Sequence, residues 1–170
     1  LPAGPLREPA TRERDATLQT NLNEQLSGGI KFEYFQGRRA FNLVSQLGTP
    51  YQLNNPTNTQ SLEKIAERYL PKSIAMVAGL GNPKRFFDDL ANLGIIGKQF
   101  PLPDHADYTS EFFKDIQAEC ILMTEKDAVK CAHIQDERIW VAPMNLHISD
   151  ELADWIQAIL QRPDPNRYTL

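Results

Sequence analysis

The chain has 170 residues, 41% of them apolar, with a net charge of −4 and a pI near 5.4. That length suits one well-packed domain with an appendage, and the acidic balance argues against a nucleic-acid surface, which needs clustered Lys and Arg. Its two cysteines, Cys120 and Cys131, lie in or beside apolar stretches, which argues against a disulfide-stapled scaffold and for a reducing cytoplasm. No apolar run approaches the roughly 20 residues needed to span a bilayer, so no transmembrane segment is expected. Leu1 is not an initiator Met and no signal peptide is evident, so the chain is expected to be a piece of something longer.

Residues 1–31 combine Pro2, Pro5 and Pro9 with Arg7, Glu8, Arg12, Glu13, Arg14 and Asp15. A stretch this charged and this rich in helix breakers predicts an irregular segment. Two aromatic-rich runs, 31–35 and 40–44, flank Gln36-Gly37-Arg38-Arg39 and predict a β-hairpin. Residues 48–60, with Gly48, Pro50, Pro56 and several Asn and Thr, are expected to form a loop.

From Ser61 the pattern becomes regular. Leu62, Ile65, Ala66 and Tyr69 recur at helical spacing before Pro71, and 74–78 is a continuous apolar run of the kind buried on both faces of a sheet. Asn82 and Pro83 predict the cap and first turn of a helix with Phe86, Phe87, Leu90 and Leu93 inward and Gly94 at its end. A short strand is expected to reach Phe100. Thr109 then predicts the cap of a helix carrying Phe112, Phe113 and Ile116. Runs 120–123 and 139–142 predict two more buried strands. Ser149 predicts the cap of a last helix with Leu152, Trp155, Ile156, Ile159 and Leu160 on one side. Strands alternating with helices imply an α/β fold: a parallel-type sheet flanked by helices, a Rossmann-like α/β/α sandwich, preceded by the hairpin. The expected division is 1–31, 32–60 (hairpin linker and loop) and 61–170 (α/β domain).

Three polar clusters end apolar runs and precede helix-like patterns: Gly79–Pro83, Pro103-Asp104-His105 and Thr124–Asp127. In an open α/β sheet such positions gather at the carboxyl edge, where ligands bind. Gly79-Leu80-Gly81 is a weak dinucleotide signal, since position 84 is Lys rather than Gly and the acidic Asp104 sits in a proline-rich turn. The simpler reading of its glycines is a tight strand-to-helix turn. Thr124 with Asp127 fits a capping pattern as well as it fits a ligand-facing Glu125, Lys126 or Asp127. His105 is the sharper candidate, as the side chain suited to accept or relay a proton near neutral pH. His133 and His147 are expected at the surface. Neither structural-zinc spacing, a phosphate loop nor a nucleophile elbow occurs.

Taken together, residues 1–9, Ala78–Phe87, Phe100–His105 and Leu122–Lys130 resemble one family. The chain looks like the C-terminal half of a tetraacyldisaccharide 4′-kinase, the lipid A biosynthetic kinase of Gram-negative bacteria. The resemblance implies two α/β/α domains joined by a two-stranded linker. It implies transfer of the ATP γ-phosphoryl group to the 4′-hydroxyl of a disaccharide lipid, with Mg²⁺, at the cytoplasmic face of the inner membrane. ATP, Mg²⁺ and the membrane surface would be held mainly by an N-terminal half, so no metal ligand is expected here and this chain alone is expected to be inactive. The resemblance assigns His105 to proton handling with an aspartate of that half, and Arg7 to a place beside the reacting phosphates. It puts Glu8, Asn82, Asp104, Glu125, Lys126 and Asp127 at the substrate or nucleotide cleft without individual roles. The sequence departs from the family where Ala106 follows His105 in place of a second His, where Leu80 replaces Ile, and in a longer loop at 52–60. The competing expectation is a freestanding α/β module that holds an anion or nucleotide at Gly79–Pro83.

Overall fold

The computed structural model describes residues 15–20, 34–35, 38–70, 73–79, 81–104 and 106–161. Arg7, Glu8 and His105 lie outside them. In chain order the elements are β1 (Ala16–Thr20), β2 (Tyr34–Phe35), β3 (Arg38–Leu47), β4 (Tyr51–Gln52), β5 (Asn55–Thr59), α1 (Leu62–Tyr69), β6 (Ile74–Ala78), α2 (Pro83–Asn92) and β7 (Lys98–Pro101). They continue with α3 (Ser110–Lys114), β8 (Cys120–Thr124), α4 (Glu125–Ala128), a 3₁₀ turn (Val129–Cys131), β9 (Ile139–Ala142), β10 (Met144–His147) and α5 (Asp150–Leu160). These form two compact units: Gln46–Asn145, and the described residues up to Ser45 together with those from Leu146.

The unit 46–145 is built on a six-stranded sheet in the order β5-β4-β9-β8-β6-β7. Strands β9, β8, β6 and β7 run parallel, while β4 is antiparallel to both β9 and β5. Alternate side chains of the three central strands serve opposite faces. Ile74, Met76, Ala78, Cys120, Leu122, Trp140 and Ala142 pack with α1 and α2, against Ile65, Phe86, Phe87 and Leu90. Ala75, Val77, Ile121, Met123, Ile139 and Val141 pack on the other side with Phe113, Ile116, Ala128, Cys131 and Ile134. Burial on both faces is why these strands are apolar without interruption. Each large apolar side chain so buried contributes about 1.5–3 kcal/mol, more than a helix cap at about 1 kcal/mol, so the sheet carries the unit.

The α/β sandwich expected from the sequence is present, with one addition. Residues 48–60, expected as a loop, carry β4 and β5. Pairing with the open edge of β9 outweighs the weak strand propensity of Asn, Thr and Pro there. Pro56, which has no N–H to give, sits in the outermost strand, the position where a sheet tolerates it. Helix α2 ends as expected at Gly94, whose φ of +78° is open to glycine. The Gly94 N–H donates to Ala91 O and the Ile95 N–H to Leu90 O, both at 2.9 Å, with Leu90 and Ile95 buried beneath.

The second unit holds a sheet in which β3 lies between β1 and β10, with β2 also pairing on β3. Antiparallel pairing of Tyr34 with Arg39 and Phe35 with Arg38 is the described part of the expected hairpin. Helix α5, read from the sequence as part of the α/β domain, packs here instead. Leu152 and Trp155 meet Phe41 and Leu43, and the Phe41 and Trp155 rings lie 5.2 Å apart.

Candidate functional site

Strands β6 and β8 are neighbours, yet β6 feeds α2 on one face of the sheet and β8 feeds α4 on the other. Their carboxyl ends therefore part at a topological switch point, the usual ligand crevice of open α/β sheets. Here a carboxylate fills the crevice. Asp127 is fully buried. Its Oδ2 accepts from the Gly79 N–H at 3.0 Å and from the Thr124 hydroxyl at 2.7 Å, and its Oδ1 accepts from the Tyr108 hydroxyl at 2.7 Å. An unpartnered buried carboxylate would cost several kcal/mol; three donors to the ionised group offset that.

Local sequence sets this up. Thr124 ends β8 with extended backbone (φ −80°, ψ 157°), and its Oγ1 accepts from the Asp127 N–H at 3.3 Å, capping α4. One turn of helix then swings the Asp127 side chain back beneath the end of β6. Burial, together with the hydrogen bond and charge of Asp127, raises the pKa of Tyr108, which keeps it a proton donor. Burial and the same carboxylate push the Cys131 thiol up to about 12. The Lys130 ammonium lies 5.8 Å from the centre of the Tyr108 ring.

Around this buried hub the edge is polar and exposed. Lys126 Nζ meets Asp104 Oδ1 at 2.7 Å, both side chains about half exposed. Glu125 lines a cleft of about 470 Å³ with Tyr51, Leu53, Pro56 and Val129. Burial, and secondarily the Glu125 charge, raises the Tyr51 pKa. Asn82 is exposed at the N-cap position of α2 but makes no side-chain cap, unlike Ser61, Thr109, Thr124 and Ser149. Those four have ψ between 151° and 157°, whereas Asn82 has φ −137° and ψ 77°, a backbone conformation unlike that of the four capping residues. The structure thus brings Asp104, Lys126 and Asp127 together around one connection and buries Asp127, which the sequence offered as ligand-facing. Among the described residues no three His, Cys, Asp or Glu side chains gather as a metal site.

Sequence reasoning passed over Tyr108. The signal available was an aromatic hydroxyl in a polar connection just before a helix cap. Gly79, read as a permissive turn, has a stricter reason to lack a side chain. A Cβ there would stand 2.6 Å from Tyr108 Oη and 2.9 Å from Asp127 Oδ1. The same contacts count against an anion held at Gly79–Pro83: the Gly79 N–H is already given to a carboxylate, that charge repels an anion, and Pro83 has no N–H to offer.

Comparison with known proteins gives the family. The family profile of LpxK, tetraacyldisaccharide-1-P 4′-kinase, matches residues 1–161. The chain belongs to that family. It is 65% identical to a tetraacyldisaccharide 4′-kinase of Polynucleobacter asymbioticus over 173 aligned residues, which cover 100% of this chain and 47% of the relative. It is 36% identical to one from Herminiimonas arsenicoxydans, covering 92% and 45%. The crystal structure of LpxK from Aquifex aeolicus in complex with ATP is similar at a TM-score of 0.61 and 28% identity, over 94% of this chain and 47% of that one. The chain spans about half the length of the relatives it matches.

Proposed function

We propose that this chain forms the C-terminal half of an ATP-dependent tetraacyldisaccharide 4′-kinase of lipid A biosynthesis. The observation that carries the reading is the family match across residues 1–161, supported by likeness to an LpxK that was crystallised with ATP. In the reaction the 4′-hydroxyl oxygen of a tetraacyldisaccharide 1-phosphate forms a bond to the γ-phosphorus of ATP. The bond to the ADP oxygen breaks, and the hydroxyl proton leaves. Such a transfer depends on positioning and charge stabilisation. The N-terminal half of the full-length protein would supply the phosphate loop, and Mg²⁺, when bound there, neutralises charge on the phosphates.

This chain would supply the facing wall of the cleft. His105 would accept or relay the hydroxyl proton, and Arg7 would offset charge on the phosphates. Glu8 and the exposed side chains of Asn82, Asp104, Glu125 and Lys126 would line the wall, while Asp127 would act from behind it. The enzyme would work at the cytoplasmic face of the inner membrane, held there by its N-terminal half. Among the described residues no helix is long and apolar enough to cross a membrane.

Complementation tests the reading. In a Gram-negative strain depleted of its own 4′-kinase, the full-length gene should restore growth and 4′-phosphorylated lipid A, whereas residues 1–170 alone should not. Failure of the expressed full-length protein to restore either would reject it.

A further inference from the structure

The connection between β7 and α3 carries the proton-handling position of the proposed reaction, and the described residues on either side of that position make contacts that hold them. At its start, the Leu102 N–H donates to Ala78 O at 2.9 Å, fixing it to the end of β6. Further on, two successive residues of α4 reach it: Lys126 pairs with Asp104, and Asp127 accepts from Tyr108. These contacts fall one residue before and three residues after position 105 in the sequence.

The two contacts are not equivalent. The Lys126–Asp104 pair is half exposed and screened by solvent, so it constrains weakly. The Tyr108–Asp127 bond is buried, charge-assisted and 2.7 Å long, and the same carboxylate holds Gly79 and Thr124. Tyr108 is itself 4% exposed and packs against the Phe112 and Phe113 rings. We infer that Asp127, through Tyr108, is a positioning residue: it sets the β7–α3 connection against the strand ends so that the proton-handling group meets its substrate in register. A 1 Å misplacement of such a group costs about 100-fold in rate, so one buried hydrogen bond can govern turnover without touching substrate.

This inference rests on the kinase reading and on proton handling by His105, and the test separates them. In the full-length enzyme, Tyr108→Phe keeps the ring packing and removes only the bond to Asp127. It should lower kcat at least about 10-fold while the KM values for ATP and lipid stay within about 2-fold, assayed at a temperature where the variant, less stable for the donor it loses, is still folded. In a His105→Ala background the same change should alter kcat by less than about 2-fold, because the group it positions is gone. Thr124→Ser, which keeps the hydroxyl beside Asp127, should retain kcat.

Unchanged kcat in Tyr108→Phe, or a loss that simply adds to that of His105→Ala, would overturn the positioning role and leave the kinase reading intact. Full activity in His105→Ala would remove proton handling by that residue, and the positioning argument with it.

Discussion

The carboxylate of Asp127 accepts the backbone N–H of Gly79 at 3.0 Å, joining the ends of two adjacent strands at the point where their following helices part. The bond requires bare backbone at position 79. Gly79→Ala would put a methyl group 2.6 Å from Tyr108 Oη and 2.9 Å from Asp127 Oδ1, and both partners are buried and bonded to each other. The expected cost is about 1–3 kcal/mol, as for other overpacked sites. At Gly81, two residues on, a Cβ meets nothing within 4 Å, and Gly81→Ala should stay within about 0.5 kcal/mol. Urea unfolding of the two variants side by side checks the contrast.

Thr124 serves both the helix and the hub. Its Oγ1 accepts from the Asp127 N–H and donates to the Asp127 carboxylate. Thr124→Val keeps the shape and removes both bonds, leaving a buried carboxylate oxygen with one donor fewer. A loss of about 2–3 kcal/mol is expected, with Thr124→Ser recovering most of it. The urea midpoints of the three proteins give the answer.

Acid sensitivity should come partly from Asp136. Burial pushes its pKa up, but hydrogen bonds and charge from Arg138 outweigh burial and hold it below its ordinary value of 3.8. Arg138 Nη2 meets Asp136 Oδ2 at 2.6 Å and also donates to Phe113 O at 2.8 Å, while Nη1 donates to Ile116 O at 2.9 Å. A depressed carboxylate pKa contributes stability that is present above the unfolded value and is lost as pH falls through the folded one. Asp136→Asn should therefore be less stable than the parent at pH 7, with the gap narrowing below about pH 3.8. Thermal unfolding across that range reads it; a gap that stays constant with pH would contradict the pairing.

Both thiols should be silent in the native protein. Burial pushes Cys120 and Cys131 each up to about 12, and both are free and buried. Only a thiolate attacks a disulfide reagent at a useful rate. At pH 8 neither Cys120 nor Cys131 should react with an aromatic disulfide until denaturant is added, and then both should.

What the sequence disclosed was largely local. The apolar runs at 74–78 and 120–123 declare strands buried on both faces, and Thr109, Thr124 and Ser149 declare helix starts, because each signal is complete within a few residues. Pairing across the chain is what it hid. Nothing in the Asn- and Pro-rich stretch at 51–59 announces that β9, whose Trp140 and Val141 pair with Gln52 and Tyr51, has an open edge to offer. The T-E-K-D run reads the same whether its Asp faces solvent or lies buried; the decision is made by Tyr108, 19 residues earlier, and Gly79, 48 residues earlier. Helix α5 has the apolar stripe of a sheet-packing helix, but the stripe does not say which sheet, and Phe41 and Leu43 take it. At Asn82 the residue types suggest a cap and the backbone angle refuses it.

The central claim is tested most directly by incubating the purified full-length protein with tetraacyldisaccharide 1-phosphate and ATP labelled at the γ-phosphate. The account predicts that label moves to the lipid 4′-position to give a 1,4′-bisphosphate, one ADP formed for each lipid product. A folded full-length protein that leaves the lipid unlabelled, or releases the label only as inorganic phosphate, would contradict it.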